Sequence, residues 1–407
     1  MSSSNVDDIV IQFEKCFVFN RKFEGRAEED DYLKIIGYFP PNKPLNDKMI
    51  SVGVVEALTH FSKTFGSETV CDSLFTDNSK FVFIEPEPGY WMALFVKHTY
   101  QGVTALSTTG PIQDFSVYND GNLPYLLLKS KLQDAYRTFR IFHGEMDNIV
   151  NTNGIESLRA TMDLFLENYW KNASFNNWNI FDILGGVHYL PILPNDFLSI
   201  QSFINQVVSK FSSFKSKAKI PNSSSRDEVI RGCLFIFDSY LVYNGISQEE
   251  SRIISQYLSN IIDERVKYNS QNANTTSGIF ITGPEDIQSS VTRFSAPKVF
   301  INGDLTEGSN VIIYKMNRLQ LVLFVDPTVC SNLTFYTSLR DYLNEDINNL
   351  YKTLSDYIFK NGDSVLKYIF FNGSSLALKT SLNMQTPSLA LKETLQNLCT
   401  IRSQLKV

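Results

Sequence analysis

At 407 residues the chain is too long for one small core and, at roughly 150 residues per domain, it should hold two or three. Its 43% hydrophobic, 20% charged and 13% aromatic composition, with 31 phenylalanines, is that of a globular protein and excludes disorder for most of the chain. With 37 basic against 43 acidic side chains the formal charge is -6, so no global positive field draws it to nucleic acid and any basic contact must be local.

Cys16-Phe17-Val18-Phe19-Asn20 reads as a buried strand, and Tyr32 to Phe39, after an acidic loop at Glu28 to Asp31, reads as its neighbour. Beyond the breakers Pro40, Pro41 and Pro44, apolar residues recur at Ile50, Val54, Ala57, Leu58, Phe61 and Phe65, the spacing of a helix facing a sheet. Phe81 to Ile84 and Trp91 to Lys97 form two strands around Glu85-Pro86-Glu87-Pro88-Gly89, and Leu123 to Phe142 is a long helix. The order then returns. Leu234 to Asp238 and Leu241 to Gly245 are strands, Ser247 with Glu250 is a capping box, and Ile253, Ile254, Tyr257 and Leu258 mark the helix. Strands at Gly278 to Ile281, Val311 to Tyr314 and Leu321 to Val325 precede a helix from about Thr328 to Phe359. A third start follows at Tyr368 to Asn372 and Leu376 to Leu378, with a helix from about Ser388 to Leu405. Helix Asp196 to Phe211 reads equally as a connector between domains or as a helix within one.

The expected fold is therefore α/β of the α+β type: mixed or antiparallel five-stranded sheets flanked by helices, in tandem. Domain one spans 1–175, a linker and connector helix 176–226, domain two 227–362 and a partial third copy 363–407. The uneven spacing of copies argues against a solenoid.

Signatures of covalent chemistry are missing. The five cysteines are scattered singly, as small buried hydrophobes, and His60, His98, His143 and His188 have no metal-ligand spacing. No phosphate-binding loop, nucleophile elbow, kinase signature or dinucleotide fingerprint occurs. The acidic run Glu28 to Asp31 reads as solvated loop rather than metal site. No catalytic residue, cofactor or metal is expected. The chain has no apolar run of the roughly eighteen residues a membrane-spanning helix needs, and MSSSNVDD is no signal peptide, so a cytosolic protein is expected.

Tandem ββαβββα modules are the longin pattern, and particular stretches sharpen the likeness. Phe23-Glu24-Gly25, Ile35 to Pro40, Val52 to Ala57 and Glu85 to Met92 resemble the first longin domain of the Ccz-one family of vacuolar fusion proteins. Leu184 to Pro191, Ile200 to Asn205 and Phe280 to Pro284 resemble its linker and second domain, and Lys367 to Asn372 the opening of its third. Members carry further elements after that opening, so the third domain here reads as reduced, completed by a partner, or truncated.

The resemblance implies one half of a heterodimer with a Mon-one-type triple-longin protein. That heterodimer is a guanine nucleotide exchange factor for the late-endosomal GTPase Rab-seven, peripheral on late endosome, lysosome or vacuole membranes. The alternatives are a longin tethering adaptor, or an exchange-factor subunit for another Rab of the Hermansky-Pudlak or Inturned type. For such pairing the helix at about Asn46 to Phe65 is the expected platform. Its stripe is assigned to its own sheet, leaving Val52, Val55, Glu56 and Thr59 for partner and GTPase, so charge at Val52 and Val55 should break pairing and spare the fold. In the proline-stiffened loop after Glu85, Glu87 and Tyr90 are candidate contacts. Lys210, Lys215, Lys217 and Lys219, near Phe211, Phe214 and Arg226, are candidate contacts to an anionic, phosphoinositide-containing membrane.

Overall fold

The computed structural model of the chain describes residues 9–23, 25, 28–64, 71–76, 79–100, 125–171, 173, 184–214, 228–269, 278–284, 287, 293–303, 307–360 and 368–381. These fall into two compact units, one built from parts of 1–139 and 146–184, the other from 140–145 and parts of 185–384.

In the first unit, strand β1 (Ile9–Asn20) pairs antiparallel with β2 (Ile35–Phe39) on one side and with β5 (Tyr90–Tyr100) on the other. Strands β4 (Ser79–Glu87) and β3 (Ser73–Thr76) complete a five-stranded sheet of order β2-β1-β5-β4-β3. Every residue from Cys16 to Phe19 is buried because both faces of the sheet are covered, which turns the usual alternation into a continuous apolar run. Phe17 and Phe19 pack under helix α1 (Leu45–Thr64) with Phe83, Ala93 and Phe95. Cys16 and Val18 face helices α2 (Tyr125–His143), α3 (Met146–Asn153) and α4 (Ile155–Trp170).

The sequence reading missed β3, α3 and α4. Within α4, Leu158, Met162, Phe165 and Leu166 are buried at helical spacing, and the helix closes the outer edge of β2. Asp163 accepts the Tyr38 N–H at 3.0 Å, and Arg159 donates to the carbonyls of Ile35 and Leu33. Backbone groups that would otherwise offer an edge for pairing are thereby satisfied. The strand expected at Tyr32 to Phe39 is shorter, because Glu28–Lys34 forms a 3-10 helix. Among the described residues no cluster of histidine, cysteine, aspartate or glutamate could hold a metal.

The second unit repeats the plan. Strands β7 (Ile230–Phe237), β8 (Tyr240–Asn244), β13 (Ser309–Met316) and β14 (Leu319–Val325) lie in the order β13-β14-β7-β8. The short strands β9 (Ile279–Phe280) and β12 (Lys298–Val299) both pair with β13, and β10 (Gly283–Pro284) pairs with β11 (Phe294–Ser295). Helix α6 (Gln248–Asn269) covers one face through Ile253, Ile254 and Leu258. Helices α5 (Pro194–Phe211) and α7 (Leu333–Lys360) cover the other. Helix α5 is thus a core element of this unit rather than a connector: Ile200, Phe203, Ile204, Val207 and Phe211 are buried, and Phe211 meets Phe335 edge-on at 5.6 Å. At Gly283, φ is +123° and an added Cβ would lie 2.7 Å from the Tyr336 ring, so this turn needs glycine on both counts.

The hairpin of β15 (Ile369–Asn372) and β16 (Ala377–Thr380) confirms the expected third strand pair. It does not stand alone. Strand β6 (Val187–His188) runs parallel to β16, and the next residue, Tyr189, bridges to Leu241 on the edge of β8. The helix expected at Ser388 to Leu405 lies outside the described residues.

Candidate interaction surface

Helix α1 carries two apolar stripes, and the structure reverses the expected assignment. Val52 and Val55 are 0% and 1% exposed and pack on the sheet, with Glu56 and Thr59 buried beside them. Outward lie Ile50, Val54 and Phe61, at 58%, 42% and 63% exposure, with Ala57 also exposed. Gly53 has open space where a Cβ would stand. Val52, Val55, Glu56 and Thr59 are therefore core residues, and the exposed stripe is Ile50, Val54, Ala57 and Phe61. Single exposed apolar side chains are ordinary, but a row of them along one helix is a candidate interaction surface.

The reversal has a physical cause at Glu56. Its carboxylate accepts the Arg21 Nε–H at 2.9 Å and the Lys34 ammonium at 2.8 Å, and Lys34 also reaches Asp31 at 2.9 Å. Burial alone would push the Lys34 ammonium down; the hydrogen bonds and charges of Glu56 and Asp31 outweigh it and hold its pKa above the usual lysine value. A glutamate supplied with two cations can lie on the buried face, where periodicity alone reads it as solvent-facing.

Glu87 and Tyr90 are also corrected. Both are buried, and neither offers an exposed contact. Glu87 accepts the backbone N–H groups of Met146 at 2.9 Å and Asp147 at 3.3 Å, the first two residues of α3, and the Tyr136 hydroxyl at 2.9 Å. It acts as the helix cap from a distant strand, its negative charge set at the positive end of the helix. The Tyr90 hydroxyl donates to Asp147 at 2.9 Å, and burial together with that carboxylate pushes its pKa up. The hairpin turn between them has Gly89 at φ +82°, whose N–H donates to Glu85.

Of the four lysines assigned to a membrane, Lys215, Lys217 and Lys219 lie outside the described residues, as does Arg226. Lys210 is exposed at the end of α5, with its ammonium 3.8 Å from the Tyr342 ring centre. No described helix is long and apolar enough to cross a membrane. Cys16, Cys233 and Cys330 are buried, and burial pushes their thiols up, Cys233 to about 12. Burial pushes the His143 and His188 imidazoles down, toward the neutral form.

Two antiparallel sheets in tandem, each with a helix after its second strand on one face and further helices on the other, define a tandem longin-domain protein. The profile described as "First Longin domain of INTU, CCZ1 and HPS4" matches residues 14–144, and "Intu longin-like domain 2" matches residues 230–346. A vacuolar fusion protein CCZ1 homolog of Nematostella vectensis is 28% identical over 389 residues, covering 92% of this chain and 80% of that protein. Homologs of the same name are 25% identical in Xenopus laevis, over 92% of this chain and 79% of the relative, and in Dictyostelium discoideum, over 94% and 82%. The two matches make the chain a longin-domain protein of the kind that includes INTU, CCZ1 and HPS4, and over most of its length it is similar to vacuolar fusion proteins called CCZ1.

Proposed function

We propose that the chain is the Ccz-type subunit of a heterodimeric guanine nucleotide exchange factor. It pairs with a Mon-one-type triple-longin protein and activates Rab-seven in endosome, lysosome and vacuole fusion, as a cytoplasmic protein peripheral on those membranes. The observation that supports pairing is the outward stripe of α1. Ile50, Val54 and Phe61 offer apolar contact, and Gly53 and Ala57 let another backbone come close. The likeness to relatives called vacuolar fusion proteins supports the trafficking role.

Exchange asks for no covalent step. A GTPase holding nucleotide with a dissociation constant near one to ten picomolar binds it by about 15 kcal/mol. The heterodimer accelerates release only by binding the nucleotide-free GTPase better than the loaded one, since equal affinity shifts nothing. Reshaping the switch loops and disturbing magnesium at the phosphates supplies that difference. Lys210, with Lys215, Lys217 and Lys219, would add a local positive contact to anionic, phosphoinositide-containing lipid in a chain of net charge -6.

The test is nucleotide release from a panel of Rab GTPases with the purified heterodimer and with each subunit alone. Faster release from Rab-seven with the heterodimer only is expected. Acceleration of a different Rab points instead to a Hermansky-Pudlak-type or Inturned-like role, and pairing without acceleration of any Rab points to a tethering adaptor.

A further inference from the structure

The hairpin of β15 and β16 meets the second unit along a short seam. Strand β16 docks on β6 over two parallel residue pairs, Ala377 with Val187 and Leu378 with His188, and the Val187 N–H donates to the Leu376 carbonyl at 2.8 Å. The hairpin itself buries little: Leu378 is the one buried side chain of residues 368–381, while Tyr368 and Phe370 are 39% and 56% exposed. We infer that the hairpin is an order–disorder element, folded while docked on residues 186–188 and melting while the rest of the second unit stays intact. This device is separate from the pairing proposed for α1.

The imbalance of burial across the seam carries it. On one side Val187 and Leu190 belong to buried clusters of the second unit, and the Leu190 N–H donates to Leu241 at 3.0 Å, so residues 187–190 are fixed to the core and to β8. On the other side stands a two-stranded hairpin, which is marginal by itself in water, so parting from β6 melts it. A segment with few buried apolar side chains opens at a lower free energy than the core beside it. When it melts, the Val187 N–H loses its acceptor and one edge of β6 is bared.

The backbone adds a second sign. Leu376 closes the hairpin turn at φ +53°, the left-handed region that a bulky apolar residue rarely adopts, and its carbonyl is the one that receives the Val187 N–H. That strain is relieved when the hairpin melts, as expected of a segment with two states. At the same seam Gly186 has no room for a side chain: a Cβ there would lie 2.7 Å from the Leu378 Cβ and 3.3 Å from the Phe371 ring. Docking thus depends on close approach at Gly186 and is opposed by strain at Leu376, so one substitution at either place shifts the balance in a known direction.

The test is native-state hydrogen exchange of the full-length chain, read amide by amide, with two variants of opposite expected sign. Amides bonded within the β15–β16 hairpin should exchange as one group, at least about a hundredfold faster than those of β7 and β14, with the Leu190 amide in the slower group. Gly186→Ala should speed the hairpin group by about tenfold or more and leave β7 and β14 unchanged. Leu376→Gly, which suits the left-handed region, should slow it by about fivefold. Hairpin amides that exchange at the rate of β7 and β14, equal acceleration of all three groups or of none in Gly186→Ala, or hairpin exchange in Leu376→Gly as fast as in wild type overturns the inference.

Discussion

Helices α1 and α6 hold the same place in their two units, each crossing one face of a sheet directly after its second strand, yet they differ in what surrounds them beyond that sheet. Beside its core residues Ile253, Ile254 and Leu258, α6 also buries Glu250, Ser251 and Arg252. Glu250 accepts the Asn302 N–H at 3.1 and 3.2 Å, and Tyr257 meets Phe142 at 4.5 Å. On α1, by contrast, Ile50, Val54 and Phe61 are 58%, 42% and 63% exposed. The further cover of α6 thus lies over polar residues and Tyr257, whereas the outward flank of α1 is apolar and exposed. That exposed apolar flank is the surface proposed for a partner.

A charge on the buried flank of either helix should have the largest effect. Val52→Asp and Ile254→Asp each place an unpaired carboxylate in a dry core and should cost about 4 kcal/mol or more, seen as loss of the cooperative denaturant transition. Val54→Asp, two residues from Val52, should move stability by less than about 0.5 kcal/mol. Equal stability of Val52→Asp and Val54→Asp would show that the flanks are misassigned.

Smaller effects sharpen the account. Glu87→Gln keeps the shape but removes the charge that caps α3, and should cost about 1 to 2 kcal/mol in urea unfolding while the affinity of the folded protein for its partner stays unchanged. A change in affinity at constant stability would return Glu87 to the contact surface. The Lys34 ion pair has a raised folded-state pKa, so its stabilisation is complete below the unfolded value of 10.5 and fades as pH rises through the higher folded one. The stability difference between wild type and Lys34→Met should thus be constant from pH 6 to 9 and shrink above that range. At Asp326, burial would raise the carboxyl, but hydrogen bonds from Thr328 and the Arg231 charge outweigh it. Its stabilisation is present above 3.8 and is lost as pH falls through the lower folded value.

Much of the architecture was legible because strands and helices with one covered side announce their period. The repeated strand, strand, helix starts at Cys16, Leu234 and Tyr368 rested on short apolar runs closed by Asn20, Asp238 and Asn372, and all three strand pairs exist. Helix α4 was legible in principle through Leu158, Met162, Phe165 and Leu166, a stripe that the reading passed over. The capping box of α6 is half right: Ser247 accepts the Glu250 N–H at 3.3 Å, but the Glu250 carboxylate turns to Asn302. The site was less legible. Periodicity shows that α1 has two flanks but not which one meets the sheet, and Glu56 looks solvent-facing until Arg21 and Lys34 are folded around it. Glu87 caps a helix that begins 59 residues later, a relation no local pattern contains.

The outer flank of α1 is the proposed pairing surface. Its most direct test is the affinity of Val54→Asp/Phe61→Asp for the Mon-one-type protein, measured beside the double variant's own unfolding midpoint. A midpoint close to wild type with at least a hundredfold loss of affinity is expected; wild-type affinity in a folded double variant overturns the assignment.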